Sequence, residues 1–133
     1  MTVPTKRLPM LPVERALKVI AGRWKAIILY HLFDGPKRLS ALQRLVPEIS
    51  RKMLAAQLRE MEAHGVVRRK AQSGIPARVD YAATPLGFTL EPLLVALCEW
   101  GLHHAVAQDE LDRLADCPLV AAARAQRAHQ VAG

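Results

Sequence analysis

Aromatic side chains make up only 5% of this 133-residue chain. Cysteine is scarcer still, with Cys98 and Cys117 alone. Two cysteines cannot build a disulfide scaffold, and neither sits in a CxxC spacing that would hold a metal, so a reducing cytoplasm is the expected setting. No apolar run approaches the ~20 residues that cross a bilayer, and no membrane partner is expected. The opening stretch MTVPTKRLPMLPVER carries proline and charge where a secretion signal needs an apolar centre. Catalytic signatures are missing too: there is no GxSxG, no Walker loop and no HExxH, and no nucleophile–base pair can be argued. These absences point away from an enzyme and leave no cofactor to propose.

Negative charge is the remaining shortage. Nineteen basic residues face 12 acidic ones, a net charge of +7. The imbalance is local: residues 1–80 hold 16 Lys/Arg and 6 Asp/Glu, whereas residues 81–133 hold 3 and 6. A basic body with a mildly acidic tail suggests an anionic partner for the body alone. Double-stranded DNA is the leading candidate, because a polyphosphate rewards many separate cations through counterion release. The plainer alternative is a basic protein kept soluble by its charge.

The hydrophobic pattern divides the chain into an arm (1–11), a body (12–84) and a long helix with a tail (85–133). Pro12 suits the first position of a helix. Val13, Leu17 and Ile20 follow at i, i+4 and i+7, predicting a buried face, and Gly22 ends the helix. Trp24, Ile27, Ile28 and Leu32 mark a second helix that stops at the Asp34-Gly35-Pro36 turn. Leu39, Leu42 and Leu45 space a short third helix, closed by Pro47. Ser50 is a good N-cap for a fourth helix from Arg51 to about His64, with Gly65 as its stop. Its apolar side gathers Met53, Leu54, Leu58 and Met61, and its other side gathers Lys52, Ala55, Ala56 and Arg59. Gln57 falls within the apolar stripe and reads as structural.

Two short strands follow, about Val66–Lys70 and Val79–Ala82, joined by a Gly/Pro loop. Helix, turn, capped helix and β-hairpin is the winged helix-turn-helix plan, so the expected fold is mainly α with a small hairpin. A helix of ~15 residues is about 22 Å long and fits the major groove. Its N-terminus would aim Ser50, Arg51 and Lys52 at the duplex. Ala55 and Ala56 would allow close approach, and Arg59 would reach a base or phosphate. Lys37 and Arg38 after the turn, and Arg78 at the base of the wing, complete the candidate DNA-binding set. Arg68, Arg69 and Lys70 add charge to the wing, but alternation sends Arg69 to the opposite side from the other two. The rival reading is a winged helix that binds a protein and not DNA. A protein interface would be poor in Lys and rich in aromatics, unlike a face that holds Lys52 and Arg59.

Thr84-Pro85 opens a long helix to about Ala107, with a kink or break expected at Pro92. Leu86, Leu90, Leu93, Leu97 and Trp100 share one side; Phe88, Val95 and Leu102 share the other. A helix apolar on two sides must be covered on two sides, and a second copy of the chain is the simplest cover. A homodimer on this helix is therefore expected, against the alternative that the C-terminal segment folds back over it. A further helix is expected from Asp109 to about Ala115. A small-molecule effector pocket is expected near Trp24, Tyr30 and Trp100. His103 and His104, with Asp109, Glu110 and Asp112 beyond, make a poor metal site, since adjacent helical residues point about 100° apart.

The stretches PVERALKVIAGRWKAIILYHLFDGPKRLSALQRLVPEIS, RKMLAAQLREMEAHGVVRR and IPARVDYAATPLGFTLEPLLVALCEWG together resemble the HxlR-type transcriptional regulators, a bacterial winged-helix family with MarR-like architecture. The resemblance implies a dimeric DNA-binding repressor or activator. One position departs from it. Many members place a cysteine directly before Pro-Val-Glu, the sensor thiol of the redox-responsive ones; Leu11 stands there, and leucine forms no thiolate. Cys98 reads as a small buried apolar group, and Cys117 as a tail residue.

Overall fold

The computed structural model describes residues 10–74 and 78–114. Along them run helices α1 (Pro12–Ile20) and α2 (Lys25–Phe33), strand β1 (Lys37–Arg38), and helices α3 (Leu39–Leu45) and α4 (Arg51–Ala63). Strands β2 (Val67–Gln72) and β3 (Arg78–Ala83) and helices α5 (Pro85–Phe88) and α6 (Glu91–Ala107) follow. The core forms where α2, α3, α4, the sheet and α6 meet. Ile28, Leu29 and Leu32 come from α2, Leu42 from α3, and Leu54, Leu58 and Met61 from α4. Val67 and Ala83 enter from the sheet and Leu94 from α6.

The turn between α3 and α4 is held from inside. Val46 and Ile49 are buried in it, and the Gln43 side-chain amide donates to the Ile49 carbonyl. Ser50 then caps α4, its Oγ accepting from Met53 N at 3.0 Å. Gly65 ends the helix in the left-handed region, at φ 79°, which costs glycine nothing.

The sheet has three strands, ordered β1-β3-β2 and antiparallel throughout. The expected hairpin is thus only part of it. Lys37 and Arg38, expected simply to follow the turn, form an added edge strand paired with Tyr81 and Asp80. Two residues are too short a run for any periodicity to reveal.

Two further expectations need correction, and of the kink or break expected at Pro92 the structure has the break. α1 has no buried residue: Val13 and Leu17 are exposed, and only its C-terminal end, Val19 and Ile20, packs on the core. Nothing among the described residues covers the rest of its apolar face. The predicted 85–107 helix is broken. Proline removes an N–H and crowds the carbonyl four residues back; for Pro92 that is Phe88, where α5 ends before α6 restarts at Glu91. The helix expected from Asp109 is only a 3-10 turn, Leu111–Arg113, followed by an extended Leu114; Cys117 and the tail lie outside the described residues.

Thr84 locks α5 to the body. Its Oγ1 accepts from Gly87 N at 2.9 Å and donates to the Gly65 carbonyl at 2.6 Å. Gly87 lies so close to the Val66 backbone that an added Cβ would stand 3.1 Å from its carbonyl carbon and collide with its oxygen. Gly87→Ala should therefore cost about 1–3 kcal/mol, read as a lower urea midpoint at unchanged m-value. A midpoint within error of the parent would contradict this packing.

Candidate nucleic-acid interface

Helix α4 is anchored by Leu54, Leu58 and Met61, each almost completely buried. Their i, i+4, i+7 spacing leaves the opposite side free. Lys52 and Arg59 are exposed on that side, Arg51 is exposed at the helix's N-terminal end, and Ala55 and Ala56 are half-buried. Met53, expected among the apolar anchors, is exposed instead. At about 100° per residue it points away from the Leu54, Leu58 and Met61 row, and its sulfur contacts the Gln57 side-chain nitrogen at 3.4 Å. Ser50 is exposed beside Arg51, but its hydroxyl oxygen is engaged as the cap.

The flanking cations stand on the sheet. Arg38 and Lys70 both pair in register with Asp80, one from each side of β3. Arg38 is exposed, whereas Lys37 is half-buried with its Nζ 3.4 Å from the Gly35 carbonyl. Arg78 is exposed at the wing base, 4.0 Å from the Asp80 carboxylate. A pair at that distance and exposure contributes little, so Arg78 remains available to another anion. Residues 75–77 at the wing tip lie outside the described residues.

The back of α4 holds a group that sequence reasoning did not single out. Lys25, the first residue of α2, is 7% exposed. Its Nζ donates to Gln57 Oε1 at 2.8 Å and lies 2.8 Å from Glu60 Oε1. The available signal was two-sided: a lysine opening the apolar run KAIILYHLF, and a glutamine inside the apolar stripe of α4. The hydrogen bond from Lys25, then its charge, holds the Glu60 carboxyl below its ordinary value. On α2 itself, burial, then the charge of Lys37, lowers the His31 pKa.

On α5 and α6, the expected dimer residues divide. Leu90 packs against the core, while Leu86, Leu93, Leu97 and Trp100 are exposed. Trp100 is 62% exposed, with the His104 ring stacked on it at 5.1 Å. Val95, from the opposite side, is buried, and Phe88 is exposed against Phe33 at 5.5 Å. A pocket is expected near Trp24, Tyr30 and Trp100. Trp24 packs on the core with the Arg23 guanidinium 4.7 Å from its ring, and Tyr30 turns an edge to His31. A cavity of about 610 Å³ opens between α1, the end of α4 and α5, lined by Arg15, Val19, Ala63, His64, Leu86 and Leu90 among others.

Comparisons with known proteins agree with this fold. A family model described as HxlR-like helix-turn-helix matches residues 19–109. YkvN of Bacillus subtilis (strain 168), an HTH-type transcriptional regulator, is 49% identical over 92 residues, 69% of this chain and 78% of YkvN. Among solved structures the chain is similar to the redox regulator HypR in its reduced form. The TM-score is 0.68 at 42% identity, over 74% of this chain and 98% of HypR. It is also similar to the reduced transcriptional regulator YodB of B. subtilis, with TM-score 0.65 at 34% identity, over 71% and 93% of the two chains.

The lowered value at Glu60 has a pH consequence. The native carboxyl ionises at lower pH than the unfolded one, so its ionisation favours folding above the unfolded value. That contribution is lost as pH falls through the native value, below 4.5. Glu60→Gln should be less stable than the parent at pH 7, and the gap should narrow toward pH 3 in urea titrations. A gap independent of pH would show that the pair contributes no linkage.

Proposed function

We propose that this chain, which belongs to the HxlR-like helix-turn-helix family and is a DNA-binding transcriptional regulator, grips duplex DNA as a homodimer. Each copy places the start of α4 in a major groove and its wing on the adjacent backbone. The observation that carries the reading is the two-faced character of α4: an apolar row in the core and Arg51, Lys52 and Arg59 exposed on the capped helix. Arg51, at the N-terminus, is assigned to base edges, where a bidentate contact discriminates by about 1–3 kcal/mol. Lys52 and Arg59 are assigned to phosphates or bases, Ala55 and Ala56 to close approach, and Ser50 to ordering the helix end. Lys37, Arg38 and Arg78 supply backbone contacts from the sheet.

The dimer is assigned to residues 85–114 together with α1. Leu86, Leu93, Leu97 and Trp100 form an exposed apolar strip, and Leu11, Val13 and Leu17 add a second. Exposed apolar surface of this extent marks an interface. Two copies joined this way would present their α4 helices to grooves about 34 Å apart. A small-molecule effector would find room in the cavity beside α1 and α5, at the end of α4, where it would bias the angle between the two reading helices.

DNA duplexes selected by the parent protein from a random library supply the probe. Lys52→Ala should weaken binding to all duplexes alike and lower the salt slope by about one. Arg51→Ala should instead flatten the base preference. Parent-like affinity and preference in the double variant would defeat the assignment. Trp100→Glu should shift the sedimentation profile from dimer to monomer; a persistent dimer would remove α6 from the interface.

A further inference from the structure

Lys25 is placed where a lysine is locally unwelcome. A cation at the first position of a helix opposes the helix dipole, and a buried ammonium costs free energy unless it is paired and hydrogen-bonded. Both penalties are met by a single arrangement. The Nζ bonds Gln57 Oε1 and Glu60 Oε1, each at 2.8 Å, one turn apart on α4. Gln57 extends the contact along the helix, its nitrogen resting 3.4 Å from the Met53 sulfur. Glu60 keeps 57% of its side chain exposed, so the carboxylate is solvated while it bonds.

Such a clamp adds something the apolar anchors do not. Burial of Leu54, Leu58 and Met61 holds α4 down but is non-directional. Hydrogen bonds to a charge fix both distance and angle. For a helix of about 5–6 Å outer radius, a 20° roll moves side-chain atoms by about 2 Å. That shift breaks a base-edge hydrogen bond yet hardly alters attraction to a phosphate. We propose that Lys25 is a positioning residue for base reading: from behind α4, through Gln57 and Glu60, it sets the roll of the helix and hence the aim of Arg51. Lys25 does not itself touch the duplex. The proposal rests on α4 being the reading helix.

The test is Lys25→Met, which keeps length and burial and removes the bonds. It uses the full chain with two probes, the library-selected duplex and a shuffled duplex of equal length. With folding monitored by urea midpoint, selected-duplex affinity should fall at least tenfold. Shuffled-duplex affinity and the salt slope should stay at parent values, and Lys25→Arg should recover part of the loss. An unchanged ratio between the two probes overturns the proposal, and so does a parallel loss on both, which a purely structural role would give. Gln57→Met, which removes one acceptor from α4, carries the same two-probe reading if Lys25→Met does not fold. Failure of the underlying reading would look different: Arg51→Ala and Lys52→Ala would then bind both probes as the parent does.

Discussion

Helix α4 must be gripped on one side by the core and left bare on the other for a polyanion. The magnitudes allow this. Each of Leu54, Leu58 and Met61 contributes about 1.5–3 kcal/mol on burial. The exposed cations Arg51, Lys52 and Arg59 repel one another through water, where even a 4 Å separation costs only about 1 kcal/mol and salt reduces it further. The apolar side outweighs the charged side, so the helix can carry unneutralised positive charge at little expense. The rest of the body serves that division. The buried turn residues Val46 and Ile49 set the angle at which α4 leaves α3, and the Ser50 cap orders its first turn.

The same logic applied to the C-terminal helices leaves an imbalance. The interruption before Pro92 lets α5 tuck against the Gly65–Val66 backbone while α6 turns Leu94 and Val95 inward. An unbroken helix would have tied Leu86 and Leu97 to one straight rod. With the break, the described residues cover the inner side of α6 and leave its outer side bare. The N-terminal helix has the same character, held at Val19 and Ile20 and bare at Val13 and Leu17. Two apolar faces left bare by the described residues are a standing cost to solubility, and both belong to the surface assigned to the proposed dimer.

Much of this was legible in the sequence because it was written in strong local signals. Ser50, Gly65, Thr84-Pro85 and Asp34-Gly35-Pro36 punctuate the chain where its elements begin and end. The apolar spacing of α4 predicted its buried row, apart from Met53. What escaped was whatever depends on tertiary pairing. β1 is two residues long and exists only because β3 offers it an edge. The exposure of Val13 and Leu17 follows from how little of the described chain packs on α1, which periodicity does not encode. Lys25 and Gln57 each looked like minor blemishes in an apolar pattern. Their meaning lies in being 2.8 Å apart across 32 positions of sequence.

Position 11 bears on how such a regulator could be switched. HypR, to which the chain is similar, is a redox regulator, and the resemblance places a sensor thiol at that position in the redox-responsive members. Leu11 removes the thiolate but keeps the location. Its N–H is bonded by the Glu14 carboxylate at 2.8 Å, which orders the start of α1, and its side chain extends the exposed apolar surface there. α1 and the end of α4 also meet without sulfur chemistry. Arg15 and Val19 of α1 face Ala63 and His64, at the end of α4, across one cavity, and Leu86 of α5 closes it. The cavity thus joins α1 and α5 to the end of the helix whose other end carries Arg51.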